Sequence, residues 1–406
     1  MARRVVVAVL ALLSGAAFSS AEDGLWMQAW SYDVPGEAAY FEELSTAFAT
    51  SPPGAPVRIA VGSWDNAHEE IAAWFEAGQG PDLVVVPDIW LAEFAGHIEP
   101  LDAYVSPEQK ASFFEVLYRK GRYEGKLLGL VWATSTKALF YRKDLFRDAG
   151  LEAPTTWAEQ LGAAVALNNP PEVYGLGLPG AREYETDDNL FFYFWSAGGR
   201  FFGENGKCAL NSEAGVKALQ FYCDLVNKYH VTQPEVTSWN RKQTRRLFEA
   251  GKLAMFATGP WGVEQLRKNA PDIEFGVVPL PVDKEPVTQI ITDHVVLPRY
   301  SKQKEMAARF LDFAYRDENR LAYAKLGLLP EKESVAANAH FQKDPNWRVF
   351  VEVIPYGQTI PLIQWEPIGI AIREALFEAL TGRSTPQAAL DALAAKIDQL
   401  TAGKVP

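Results

Sequence analysis

Short apolar runs alternate with amphipathic segments along the first third of the chain. Residues 24–32, 57–64 and 81–88 are rich in β-branched and aromatic residues and predict strands. Residues 37–53 and 67–79 carry apolar positions at helical spacing and predict helices, the first ending at Pro-Pro. Because the strands are almost continuously apolar, the β-α-β-α-β order predicts a mainly parallel sheet covered by helices.

A second α/β region follows, from about residue 133 to 284. Its strongest helical patterns are 155–167, 212–230 and 240–252, and a short apolar strand comes directly after the last of them. The tail, 372–400, predicts two amphipathic helices joined by a Gly-containing turn. With 406 residues and no long flexible linker, the chain is expected to form two lobes joined by several short crossings.

The first residues have the pattern of an export signal. Arg3 and Arg4 precede the apolar run 5–13, and Ser19-Ser20-Ala21 has the small residues of a signal-peptidase site. The alternative is a membrane anchor, but the run is short for a bilayer span. We therefore expect residues 1–21 to be a removed signal peptide and the mature protein to be periplasmic.

Charge and composition exclude several functions. Removal of residues 1–21, which carry two arginines and no acidic residue, changes the net charge from −12 to −14. Such an acidic protein is repelled by phosphates, which argues against nucleic acid or a membrane surface as a partner. Cys208 and Cys223 could pair in an oxidising compartment or remain separate thiols. The five histidines show no metal-ligand spacing, so we expect no metal and no cofactor.

Several of the twelve tryptophans stand where predicted strands end. These positions are Trp30, Trp64, Trp90, Trp132 and Trp261, with Trp239 before the helix that leads to the last one. In open α/β sheets ligands bind beyond the carboxyl ends of strands. Tyr32, Asn66 and Asp88 bring hydrogen-bonding groups to the same edge. Flat rings with fixed polar groups suit a sugar or polyol, although any one of these tryptophans could instead belong to the core.

Residues 248–262, FEAGKLAMFATGPWG, resemble a signature of the family 1 extracellular solute-binding proteins, the maltose-binding-protein-like group that serves ABC importers. Residues 78–102, 129–146, 195–219 and 275–281 carry further similar stretches in the family's order. The resemblance implies an α/β periplasmic binding protein fold of class II. Each lobe would be a mainly parallel sheet flanked by helices, and the two lobes would close on a sugar in the cleft between them. The resemblance also implies delivery of that sugar to the transmembrane subunits of an ABC permease, and we expect a monomer. We place the N-terminal lobe at 22–132 and 285–337, and the C-terminal lobe at 133–284 and 338–406.

The same resemblance assigns candidate ligand contacts by position. In the signature, Gly251 ends the helix, Pro260 fixes a turn, Gly259 admits close approach of the ligand and Trp261 stacks on it. The other positions carried over are Trp30, Tyr32, Asp88, Trp90, Trp132, Thr134, Ser135, Asp188, Asn189, Asp293, His294, Trp365 and Arg373. His294 could equally be a structural histidine, and Arg373 could be a residue of a helix face.

Departures from the family pattern bear on specificity. Asp88-Ile89-Trp90 replaces a histidine-aspartate-arginine run of maltose-binding proteins, and Thr134-Ser135 stands where some maltodextrin binders carry a glutamate. Both differences argue against a maltodextrin and leave a monosaccharide, disaccharide, sugar alcohol or glycoside. Two alternatives stay open. One is a secreted glycoside hydrolase, although no compelling pair of carboxylates stands out. The other is a receptor for another solute, such as a polyamine, a metal-anion complex or an anionic or sulfonated sugar, with His294 and Arg373 as its candidate basic contacts.

Overall fold

A computed structural model describes residues 24–32, 34–183, 186–361 and 365–401. The predicted signal peptide at 1–21 lies outside the described residues. Within these ranges, no helix has both the length and the apolar composition to cross a membrane.

The strands are, in chain order, β1 Leu25–Trp30, β2 Val57–Gly62, β3 Leu83–Pro87, β4 Ile98–Glu99, β5 Arg122–Tyr123, β6 Lys126–Leu127, β7 Gly129–Ser135, β8 Ala138–Arg142, β9 Met255–Thr258, β10 Phe275–Val278, β11 Thr288–Gln289, β12 Ile291–Pro298 and β13 Gly357–Gln358.

The α-helices are α1 Glu37–Thr50, α2 Ala67–Ala77, α3 Asp88–Phe94, α4 Pro107–Ala111, α5 Glu115–Lys120, α6 Lys143–Asp148, α7 Trp157–Leu167, α8 Asp188–Ser196, α9 Glu213–Asn227, α10 Arg241–Glu249, α11 Trp261–Asn269, α12 Lys304–Ala314, α13 Asp317–Ala324, α14 Glu333–Ala336, α15 Ala339–Lys343, α16 Pro345–Glu352, α17 Trp365–Leu380 and α18 Pro386–Thr401.

The first sheet has the strand order β2-β1-β3-β12-β4, and β7 also pairs with β12. β1 is parallel to β2 and β3, which confirms the expectation for this part of the chain. β12 runs antiparallel to β3, β4 and β7, because the chain re-enters this lobe from the second one and runs back through the sheet. The carboxyl ends of β1 and β3 and the start of β12 therefore meet at one edge.

The second sheet has the order β10-β8-β9 and differs from the parallel arrangement that the sequence predicted. Both of its neighbouring pairs are antiparallel. β8 enters this lobe directly from the crossing after β7, whereas β9 and β10 are joined to each other through α11 and share the opposite direction. β8 therefore lies between β9 and β10 in this sheet.

Two chain segments join the sheets, one from β7 to β8 and one from β10 through β11 to β12. β11 pairs in parallel with β13, and the Thr136 hydroxyl donates to the Phe350 carbonyl oxygen over 3.0 Å. A Cβ on Gly357 would lie 2.0 Å from Ile290 Cδ1, so only glycine lets the segments of β11 and β13 approach so closely. The molecule is a two-lobed α/β protein, as the sequence predicted, while the lobe boundaries given above stay a prediction.

The two cysteines are separate free thiols, which corrects the option of a disulfide. Both are buried, and burial raises the pKa of Cys208 to about 11 and that of Cys223 to about 12. Cys208 lies in the loop before α9, where its amide donates to Asp398 of α18, and Cys223 packs within α9. Both thiols are protonated at neutral pH and serve as core residues.

Candidate functional site

A cavity of about 30 Å³ lies between the two sheets. The first lobe contributes the turn from β3 into α3, and the second contributes the start of α8 and the start of α17. The crossing from β11 into β12 closes its inner side. The cavity is lined by Pro87, Asp88, Ile89, Asp187, Asp188, Gln289, Ile290, Ile291, Ile360 and Trp365.

Asp88 supplies the carboxylate of the first-lobe wall. It is the first residue of α3, directly after the fully buried strand β3, which explains why the chain delivers a carboxylate to this edge. Its Oδ2 lies 2.9 Å from the ammonium of Lys120, the last residue of α5, and both side chains are largely buried. The cavity therefore meets a carboxylate that already has a cation beside it.

Tyr32 and Asp293 form a second polar group on the first lobe. The Tyr32 hydroxyl donates to Asp293 Oδ2 over 2.5 Å, and burial, with Asp293 beside it, raises the pKa of Tyr32 well above its usual value. The carboxylate of Glu37 accepts from the Tyr32 amide over 3.2 Å and from the Ser31 hydroxyl over 2.7 Å. Glu37 thus fixes the loop that carries Tyr32. The ring of Trp64 lies 5.8 Å from that of Tyr32.

Asp188 is the corresponding carboxylate of the second lobe. Gln289 Nε2 donates to its Oδ1 over 2.9 Å, and the ammonium of Lys137 lies 3.4 Å from its Oδ2. Lys137 is fully buried and lies 4.8 Å from the centre of the Trp261 ring. The guanidinium of Arg241 lies 5.1 Å from the same ring. Two cations therefore contact the indole that the signature placed in the cleft.

Asp187 precedes Asp188 and is buried beside Arg373 of α17, with 3.6 Å between Oδ1 and Nη1. Burial raises the pKa of Asp187 to about 7; Arg373 lowers it, and neighbouring Asp188 raises it further. Arg373 also lies 3.8 Å from Glu366 on its own helix. Arg373 is thus a buried partner of a cavity carboxylate, and not a residue of an exposed helix face.

The turn at 259–261 places the indole of Trp261 over Gly259. A Cβ on Gly259 would lie 2.5 Å from Trp261 Cη2, so this position requires glycine for the ring itself to fit. Trp261 is the first residue of α11 and is 8% exposed. The signature therefore builds a fixed aromatic ring next to Lys137, the cation that faces Asp188.

The structure brings together only part of the predicted set. Asp88, Asp188 and Trp365 line the cavity, Trp261 adjoins Asp188 through Lys137, and Arg373 adjoins Asp187. Tyr32, Trp64 and Asp293 form a neighbouring cluster of the first lobe. The remaining predicted residues lie in the core or in loops beside these groups.

Trp30, Trp132 and His294 are in the interior of the first lobe, which corrects their assignment to the ligand. Trp30 donates to the Val85 carbonyl oxygen over 2.8 Å and covers Gly62, whose missing Cβ makes room for the ring. Trp132 packs against Phe41, and the Arg320 guanidinium lies 4.8 Å from its ring. His294 has no exposed surface.

Burial, and to a smaller extent Lys120, lowers the pKa of His294 to about 3. The imidazole is therefore neutral at physiological pH and supplies no cation for an anionic ligand.

Six other predicted residues have local roles. Trp90 is buried beside the imidazole of His68, 4.9 Å away, and Asn66 is an exposed residue before α2. Thr134 and Ser135 lie opposite Thr292 and Ile291 in the pairing of β7 with β12. The remaining two are Asn189, which is buried in α8, and Trp239, whose indole donates to the Pro234 carbonyl oxygen.

Sequence reasoning missed the partners of these carboxylates. They are Glu37, Lys120, Lys137, Asp187 and Gln289. Lys137 lies close to the predicted contacts Thr134 and Ser135, and Asp187 precedes Asp188 in the sequence. A single charged residue at such a position does not indicate from sequence alone that its side chain is buried. Gln289 reaches the cavity from β11, on the connection between the sheets, and Lys120 reaches Asp88 from the end of α5.

Comparisons with known proteins agree with this architecture. A sequence profile of the family described as bacterial extracellular solute-binding protein matches residues 33–321, more than half of the chain. A binding protein of Brucella abortus (strain 2308) is 31% identical over 369 residues, which cover 89% of each chain.

Two solved structures have the same fold. An ABC transporter solute-binding protein of Thermotoga lettingae, bound with α-D-tagatose, matches with a TM-score of 0.84 and 25% identity, and the match covers 93% of this chain and 99% of that one. Maltose-bound MalE3 of T. maritima also gives a TM-score of 0.84, at 24% identity and with the same coverage of both chains.

Proposed function

Because the chain belongs to the bacterial extracellular solute-binding protein family, we propose that it binds a sugar, glycoside or polyol between its lobes and delivers it to an ABC permease. The proposal includes a periplasmic location after removal of residues 1–21, a monomeric protein and no catalytic step. The α-D-tagatose bound to the similar T. lettingae protein supports a sugar as the solute.

The observation that carries the proposal is the convergence of both lobes on one cavity. Asp88 arrives from the first lobe, Asp188 from the second, and Trp365 provides an aromatic wall. Trp261 adds a fixed indole behind the cavity wall, where its ring contacts Lys137. Side chains on two lobes that can only meet when the lobes are closed favour the closed form when a ligand bridges them.

A thermal-shift panel of monosaccharides, disaccharides, oligosaccharides, glycosides and polyols tests this proposal. We expect at least one of them to raise the midpoint of unfolding, since a ligand that binds only the folded protein stabilises it. Intrinsic tryptophan fluorescence then gives the affinity. Absence of stabilisation by the whole panel would refute a sugar-binding function.

Two variants locate the site. Trp261→Ala should weaken binding about fivefold, because aromatic stacking contributes roughly 1 kcal/mol. Trp26→Phe is the control, because Trp26 lies near the amino end of β1, opposite to the cleft edge. Equal affinity of wild type and Trp261→Ala would remove Trp261 from the site.

A hydrolase would consume the sugar that stabilises it. Incubation of the protein with that sugar, followed by chromatography of the mixture, should return the sugar unchanged. Appearance of a smaller product in proportion to protein concentration would support the hydrolase instead.

A further inference from the structure

We propose that the cavity between Asp88 and Asp188 takes a short apolar substituent of the bound sugar, such as the methyl group of a 6-deoxy sugar or the alkyl group of a simple glycoside. The inference rests on the proposed function and specifies the substrate class. It follows from the apolar surface and the hydrogen-bonding groups that the cavity wall presents to a ligand.

Most of the wall is apolar. Six of the ten lining residues carry no polar side chain other than one indole N–H, and they come from both lobes and from the crossing between them. They are Pro87, Ile89, Ile290, Ile291, Ile360 and Trp365. A hydroxyl group placed against such a surface loses its water without gaining a hydrogen bond, whereas a methyl group gains by burial.

The polar residues of the wall already have partners behind it. Asp88 is paired with Lys120 at 2.9 Å. Asp188 accepts from Gln289 at 2.9 Å and lies 3.4 Å from Lys137. Asp187 lies 3.6 Å from Arg373. Each of the three carboxylates therefore has a partner within the protein, and a ligand hydroxyl would have to compete with a cation or an amide for it.

Gln289 adds an open acceptor to the wall, because its buried Oε1 accepts no hydrogen bond from the described residues. It suits a single hydroxyl at the edge of the sugar ring, beside the apolar part of the cavity. The cavity thus combines one acceptor with an aliphatic surface, which matches a sugar that bears a small apolar group.

The size of the cavity limits that group. A water molecule needs about 10–15 Å³ of such space, so about 30 Å³ corresponds to roughly two carbon atoms. A methyl or ethyl group fits, and longer chains would have to push the lobes apart. Such a group can belong to the sugar ring, as in a 6-deoxy sugar, or to the aglycone of a glycoside. The experiment below distinguishes these two cases.

The test is isothermal titration of wild-type protein with matched pairs of sugars. One arm compares L-fucose with L-galactose and L-rhamnose with L-mannose, which differ only in the 6-hydroxyl. The other compares D-glucose and D-galactose with their methyl and ethyl glycosides. We expect the apolar member of a pair to bind about fourfold tighter per buried carbon, the ratio that ~0.8 kcal/mol per CH₂ gives.

A pair of variants assigns the effect to the cavity. Ile360→Ser removes an aliphatic group of the wall and should reduce the fourfold preference towards unity. Ile370→Ser is the matched control, because Ile370 is 53% exposed on α17, and it should leave the preference as in wild type.

The outcomes separate this inference from the proposed function. Tighter binding of deoxy sugars supports a ring substituent, and tighter binding of glycosides supports an aglycone. Equal or weaker binding of the apolar members, while the hydroxylated sugars bind, overturns the inference and leaves the proposed function standing. Failure of these probes and of the wider panel overturns both.

Discussion

Asp187 should make folding stability depend on pH in a range where ordinary carboxylates do not titrate. Its side chain is buried in the cavity wall beside Arg373, and burial raises its pKa to about 7 from a usual value of 3.8. Asp187→Asn keeps the shape of the side chain and removes the titration. We compare the free energy of unfolding of this variant with that of wild type at pH 5 and pH 7.5.

The sign follows from where the proton is held. Between pH 3.8 and 7 the folded protein binds a proton at Asp187 that the unfolded chain has lost, so the stabilisation linked to this proton is complete below pH 3.8 and disappears as the pH rises through 7. Integration between pH 5 and pH 7.5 gives a loss on the order of 2–3 kcal/mol in the free energy of unfolding.

His294 contributes a pH dependence of the opposite sign. Its pKa is lowered from 6.5 to about 3, so stability rises with pH until 6.5. Over the same pH range this gain opposes the loss from Asp187, so the wild-type profile alone does not isolate either group. Comparison of wild type with single variants separates the two contributions.

Urea unfolding followed by tryptophan fluorescence gives the required free energies. The difference in free energy of unfolding between wild type and Asp187→Asn should change by roughly 2–3 kcal/mol between the two pH values, in favour of wild type at pH 5. For His294→Leu the change should have the opposite sign. A difference for Asp187→Asn that is the same at both pH values would refute the raised pKa and with it the dry environment of the cavity wall.

Three further predictions concern single contacts. Glu37→Gln should weaken sugar binding and cost about 1.5–3 kcal/mol in urea unfolding, because its carboxylate accepts from Ser31 and Tyr32; unchanged values would show that the loop is held otherwise. Gly259→Ala should lower affinity in titration, because a Cβ would displace the Trp261 ring, whereas Gly96→Ala, with open space around its Cβ, should not. Arg320→Met should cost about 3–5 kcal/mol in unfolding, because it leaves Glu331 buried without its partner at 2.6 Å, and a cost below 1 kcal/mol would contradict this.

The fold was largely accessible from the sequence because its elements have strong local signals. The helix at Glu37–Thr50 and the strand at Leu83–Pro87 follow directly from apolar periodicity and from a continuous apolar run. The direction of β8 was not accessible. It depends on the crossing from β7, and hydrophobic pattern does not distinguish parallel from antiparallel pairing in a strand that is buried on both faces.

The site could be predicted from the sequence only where a motif fixes the backbone. Only Pro260 separates Gly259 from Trp261, so the turn predicted from the sequence is also the turn that positions the Trp261 ring. Trp30 shows the limit of this reasoning. It ends a strand at the cleft edge, yet its ring turns inward because Gly62 on the neighbouring strand leaves space for it, and that register is not visible in either segment alone.

The cavity also bears on how a solute enters. Ordinary small-molecule sites have about 300–1,000 Å³, whereas the cavity here has about 30 Å³, enough for a substituent but not for a sugar ring. A hexose therefore requires the lobes to separate as it enters, and the separation must bend the two connections between the sheets. One of them approaches the segment of β13 at Ile290 and Gly357, where β11 and β13 form only a two-residue ribbon. A ribbon of this length has few hydrogen bonds to resist bending, whereas the β7–β12 pairing extends through Ser135 and holds the first lobe rigid up to that point. We therefore expect the motion to be concentrated between Thr136 and Lys137 and at the β11–β13 ribbon, directly beside the cavity that the ligand would fill.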